Sequence, residues 1–149
     1  MSREASIRLN CMEYTTDIKT IVQVLLKIGW KLYNTHNKVE FLPLGDEDDY
    51  NWQEKFLTEN DALKLVADKQ AYHEMIGLNL FHEESDRGVT LLARETSNIS
   101  LCLEINRKRL NDDDRDSFTD FTWYFNNIIK KMDESGCILR YIKYEEYLD

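Results

Sequence analysis

Three observations make this chain an α+β protein. Between Ile76 and Asn106 the hydrophobic period is two, broken only by short polar turns, which predicts an antiparallel meander of three strands. Outside that meander, apolar residues recur at helical spacing in three segments, which predicts three helices. The length of 149 residues, with 42% hydrophobic and 11% aromatic content, suits one domain with a core of its own; such a fold buries roughly 68–70% of its unfolded surface. The expectation is one domain, 1–149, with three helices on a mainly antiparallel sheet in the order β-α-β-α-β-β-β-α-β.

Each element follows from its own pattern. Ala5, Ile7, Leu9 and Cys11 alternate with Ser6, Arg8 and Asn10, so residues 5–12 read as a half-buried strand. Thr15 or Thr16 then caps a helix to about Tyr33, with Ile18, Ile21, Val22, Leu25 and Ile28 inward and Trp30 closing the core. Lys38 to Leu44 is a short strand stopped by Pro43 and Gly45. Thr58-Glu59-Asn60-Asp61 has the form of a capping box, opening a helix to about His73 with Ala62, Leu63, Val66 and Ala67 inward.

The meander strands are centred on Ile76, Leu78 and Leu80; on Val89, Leu91 and Ala93; and on Ile99, Leu101, Leu103 and Ile105. Their turns are Ser85-Asp86-Arg87-Gly88 and Thr96-Ser97-Asn98. A third helix, about Phe118 to Asp133, presents Phe118, Phe121, Phe125, Ile128, Ile129 and Met132 to the core and stops at Ser135-Gly136. Cys137 to Tyr144 is the final strand.

Composition narrows the function. A net charge of −9 repels nucleic acid and anionic lipid and attracts basic partners. Cys11, Cys102 and Cys137 are odd in number and widely spaced, each in an expected strand, and read as reduced, packed thiols. No apolar leader opens the chain, and its most apolar stretch, IVQVLLKIGW, is interrupted by Gln23 and Lys27 and too short to span a bilayer. The expectation is a cytoplasmic protein without membrane contact.

No reaction is encoded in a recognisable motif. Read as a calcium loop from Asp46, positions 5, 6 and 12 fall on Tyr50, Asn51 and Leu57. From Asp112, Ser117 and Trp123 stand where glycine and glutamate are required. The run Asn111–Asp116 is better explained as charge before a helix dipole, with Ser117 and Asp120 forming the cap. Glu95 and Glu104 lack the lysine two residues on that a metal nuclease strand carries. His36, His73 and His82 have no metal-ligand spacing, and neither a P-loop nor a nucleophile elbow occurs among five glycines. The expectation is a non-enzymatic protein without cofactor or metal.

What remains is Gly45-Asp46-Glu47-Asp48-Asp49-Tyr50-Asn51-Trp52, four carboxylates beside two aromatics. Two readings compete: a solvated connector with Trp52 tucked into the core, or a recognition surface. In the second, Asp46, Glu47, Asp48 and Asp49 steer a basic partner, and Tyr50 and Trp52 anchor it. Trp123 lies almost opposite the core stripe of the third helix, where either a partner or the acidic loop covers it. Tyr141, Tyr144 and Tyr147 in YIKYEEYLD are placed as an extension of the same surface.

A small acidic α+β domain with acid-aromatic segments and no catalytic signature resembles the immunity proteins of bacterial polymorphic and contact-dependent toxin systems. The leucine-proline-tyrosine pattern of the immunity proteins related to yeast cell-wall regulators is absent. The resemblance implies binding to one cognate toxin, often a basic nuclease, by covering its active site or an exosite, with the four carboxylates standing in for nucleic-acid phosphates. The alternative is a small cytosolic regulatory or scaffold adaptor.

Overall fold

The computed structural model describes residues 3–149 and bears out the expected architecture, a single antiparallel sheet with three helices. In chain order the elements are β1 (Arg3–Asn10), α1 (Ile18–Lys27), β2 (Trp30–Lys31), β3 (Val39–Phe41), β4 (Gln53–Lys55), α2 (Glu59–Ala71), β5 (Ile76–His82), β6 (Gly88–Glu95) and β7 (Asn98–Ile105). Then come α3 and β8 (Tyr141–Leu148). Helix α3 is α-helical over Phe121–Tyr124, π-helical over Phe125–Ile129 and α-helical again over Lys130–Glu134. The sheet runs β4-β3-β5-β6-β7-β1-β8, with β2 pairing the far end of β5.

Register fixes two faces. Ile7 pairs with Leu101 on one side and Tyr144 on the other, and Leu91 pairs with both Leu101 and Leu78. These odd and even runs share one face because side chains alternate along a strand. That face carries Ala5, Ile7, Leu9, Leu78, Leu80, Val89, Leu91, Ile99, Leu101 and Leu103, all buried under the helices. Each Val, Leu or Ile side chain among them contributes about 1.5–3 kcal/mol on burial. The other face carries Ser6, Arg8, Ser100, Thr90, Asn79 and Glu40, a polar lattice in which Thr90 donates to Asn79 and Asn79 to Glu40.

Helix boundaries differ from the expectation in instructive ways. Helix α1 ends at Lys27, because Gly29 takes φ +121° and releases Trp30 into β2, opposite His82. Its N-cap is Asp17, while Thr15 Oγ1 accepts from the Asp17 amide. Helix α2 starts as expected: the Thr58 hydroxyl accepts from the Asp61 amide at 3.1 Å. Gln70 then ties it to α1, accepting from Ile18 N and donating to Thr16 O.

The third helix departs furthest. Asp120, not Ser117, is its N-cap, accepting from Trp123 N, so Phe118 falls before the helix and is 58% exposed. The wide π turn then changes which residues face inward: Tyr124, Ile128, Ile129 and Met132 are buried, while Phe125 is exposed. The helix stops where expected. Gly136 at φ +88° donates to Asp133 O and Cys137 N to Met132 O, a Schellman end. Cys137 is therefore part of the helix cap, and the last strand runs from Tyr141 to Leu148 instead of from Cys137 to Tyr144. Cys11 lies just beyond β1 and only Cys102 is within a strand; all three are free thiols. No helix among the described residues is long and apolar enough to cross a membrane.

Candidate functional site

The acidic segment leaves β3, crosses the polar face of the sheet and returns as β4. Its backbone is unusual: Gly45, Glu47, Asp48 and Tyr50 all have positive φ, at 81°, 52°, 62° and 54°. A non-glycine residue there costs on the order of 1–3 kcal/mol and persists only when its surroundings over-determine it. Several contacts do so. The buried Asp46 carboxylate accepts from Tyr50 N at 2.8 Å and Asn51 N at 2.9 Å, closing the loop on itself. Glu74 accepts from Gly45 N at 2.8 Å, and Asp48 binds Arg94 of β6 at 2.6 Å.

Beneath the loop lies a lysine. Lys69 is 1% exposed, and its ammonium donates to Pro43 O at 2.7 Å and Leu42 O at 3.2 Å, with Glu74 at 3.6 Å. Burial lowers its pKa, while the charges of Glu74 and Asp46 oppose that shift. The ammonium thus satisfies carbonyls that the turn at Pro43 leaves without strand partners. Sequence reading missed this residue, although the spacing Ala62-Val66-Lys69 places a lysine on the buried stripe of α2.

The aromatics divide. Trp52 lies on the polar face over Gly77, where an added Cβ would meet the Trp52 ring at 3.1 Å and Leu42 Cδ1 at 2.6 Å. It is nonetheless 40% exposed, with Tyr50 at 47% beside it. Glu47 and Asp49 are exposed as well. The outward set is therefore Glu47, Asp49, Tyr50 and Trp52, while Asp46 and Asp48 are committed to holding the loop. A small cleft of about 130 Å³ remains between Asp46, Asp48, Lys69, Glu74 and Arg94; ligand pockets typically measure about 300–1,000 Å³.

Trp123 does not join this surface. It packs edge-on against His82 at 5.0 Å, Trp30 at 6.2 Å and Tyr124 at 4.9 Å, on the helical face of the sheet. Arg87 lies 6.0 Å over its ring. The expectation of an outward Trp123 fails because the inward face of α3 includes Trp123 and Tyr124 instead of Phe118 and Phe125. His82, buried between the two indoles with Nδ1 3.0 Å from Ser85 Oγ, has its pKa lowered, chiefly by desolvation. Tyr141, Tyr144 and Tyr147 lie on β8, at the opposite edge of the sheet from β4, so they do not extend the acidic surface either.

The second acidic run, 111–117, is built on a different anchor. The Arg107 guanidinium donates to Ser117 O, Arg115 O and Thr119 Oγ1 at 2.9–3.0 Å, and Arg3 donates to Asp116 O. The buried Glu146 carboxylate lies 3.5 Å from Arg3 and 3.9 Å from Arg107, and accepts from Thr119 N and the Tyr144 hydroxyl. Burial and Glu146 together raise the Tyr144 pKa. Ser117 Oγ accepts from Asn111 N, so the hydroxyl expected to cap α3 closes this loop instead.

Among the described residues, no group of three or more His, Cys, Asp or Glu side chains is arranged to hold a metal ion. In comparisons with protein families, curated proteins and solved structures, the chain matches none.

Proposed function

We propose that this protein is a non-enzymatic, protein-binding inhibitor of the immunity type. It neutralises a cognate basic toxin, nuclease-like in its charge, by covering an active site or exosite. The observation that supports this reading is the acidic loop itself. Glu47, Asp49, Tyr50 and Trp52 project from a backbone whose left-handed residues are held by Asp46, Lys69 and Asp48–Arg94. Such preorganisation removes much of the ordering cost of association. Exposed aromatics beside carboxylates supply anchors and steering together. The net charge of −9 extends that steering and disfavours nucleic acid as a ligand.

The test uses tagged protein to capture a stoichiometric basic partner from its host under rising salt, and then measures inhibition of that partner's activity. Glu47→Gln with Asp49→Asn weakens binding by roughly tenfold or more, mostly through a slower on-rate, and flattens its salt dependence. Because neither side chain holds the loop, thermal stability stays within about 0.5 kcal/mol of the parent. Unchanged affinity in this double variant sinks the reading.

A further inference from the structure

The two edges of the sheet are treated very differently. At one, β4 is three residues long and carries charge within it, at Glu54 and Lys55. At the other, β8 is eight residues long, pairs with β1 without a bulge, and among the described residues has no strand on its outer side. Long, regular, uncovered edges are templates for another strand. Beside this one, between α3 and β8, runs a groove of about 500 Å³ lined by Phe125, Ile129, Leu139, Tyr141 and Ile142. Next to the groove, Phe121 packs on Tyr144 at 4.5 Å and on Phe125 at 6.0 Å.

We propose that β8 is the seam of a homodimer, in which it pairs antiparallel with β8 of a second copy about a two-fold axis normal to the sheet and centred on Tyr144. The strand's own charges select that occupant and that register. With Tyr144 opposite Tyr144 of the second copy, Lys143 faces Glu145 of the second copy, and Glu145 faces its Lys143. Tyr141 faces Tyr147 in the same way, twice. Opposite charges directly across an antiparallel pair are favourable and like charges unfavourable. Moving the centre by one residue sets Lys143 against Lys143 or Glu145 against Glu145, so both neighbouring registers are penalised.

Within one copy, Lys143 is left poorly matched. Its cross-strand neighbour is Arg8, a like charge, and its ammonium rests 4.9 Å over the ring of Tyr141. Arg8 approaches Glu145 only at 3.8 Å, with both side chains exposed. A second copy supplies the carboxylate that Lys143 lacks. The same axis puts both helical layers on one side of a continuous sheet, so that the Phe121–Phe125–Tyr144 clusters of the two copies meet across the seam. The acidic loops lie away from it, towards β3 and β4, and stay accessible.

Sedimentation equilibrium across micromolar to millimolar concentration tests the pairing. The parent chain shows a reversible monomer–dimer equilibrium. Lys143→Glu, which makes both seam pairs repulsive, raises the dissociation constant by at least about tenfold with unchanged circular dichroism. Lys143→Glu combined with Glu145→Lys restores it to near the parent value. That recovery follows only from a register in which these two residues meet. A chain that stays monomeric throughout, a dimer indifferent to Lys143→Glu, or a charge swap that fails to restore association each overturns the proposal. Partner capture by the acidic loop is a separate readout, so either proposal can fail alone.

Discussion

The two acidic segments, 45–52 and 111–117, look alike in composition and are built on the same device with different results. In each, a buried cation takes backbone carbonyls, leaving carboxylates to face outward: Lys69 binds Leu42 and Pro43, and Arg107 binds Arg115 and Ser117. The second loop balances its cations with a buried anion, Glu146, and is otherwise held by ordinary side-chain turns, Asp113 N to Asn111 Oδ1 and Asp116 N to Asp114 Oδ1. The first loop instead holds three non-glycine residues in left-handed backbone and sets Tyr50 and Trp52 outward. Acidity does not distinguish the two segments. Stored conformational strain beside exposed aromatics does, and strain of that kind clusters where proteins bind.

The comparison sharpens most under Arg107→Met. The substitution removes the donor to the carbonyls of Arg115 and the half-buried Ser117 and leaves the buried Glu146 carboxylate with less compensation, costing about 3–5 kcal/mol in chemical denaturation. Backbone exchange increases over 111–117 and not over 45–52. A cost below about 1 kcal/mol would mean that Arg3 alone carries that loop. Lys69→Met reverses the pattern, at about 2–4 kcal/mol, with exchange rising over 42–52. Protection that changed equally in both loops would remove the claim that each has its own anchor.

Gly77→Ala is the mildest of these changes. Its Cβ displaces Leu42 and the Trp52 ring, at about 1–3 kcal/mol for overpacking. It is read as a shift in tryptophan emission that disappears in a Trp52→Phe background. Emission that ignores the substitution would place Trp52 away from the sheet.

Much of the fold is legible in the sequence because its signals are local. The meander of β5, β6 and β7 follows from strict alternation, the α2 start from Thr58 and Asp61, and the α3 end from Ser135-Gly136. Strands β2 and β4, of two and three residues, are too short to have a period. The π turn has no sequence signature, and it decides whether Phe125 or Tyr124 enters the core. The acidic loop was visible as composition, and its outward residues Glu47, Asp49, Tyr50 and Trp52 were among those expected. The division of labour within it was not. Asp46 and Asp48 are anchors only because Lys69, Glu74 and Arg94 arrive from distant parts of the chain.

Strand β1 carries one more consequence. It precedes every other described element, yet it sits between β7 and β8, with Ile7 against Leu101 and Tyr144. During synthesis Ala5, Ile7 and Leu9 have no sheet neighbour until β7 (Asn98–Ile105) has followed, and no second one until β8 (Tyr141–Leu148). The helices and the meander can assemble early from near neighbours, whereas closing β1 between the last two strands requires the longest loops of the fold. Such non-local pairing slows folding relative to a fold built from local contacts. Strand β1 is the segment on which a chaperone would act longest.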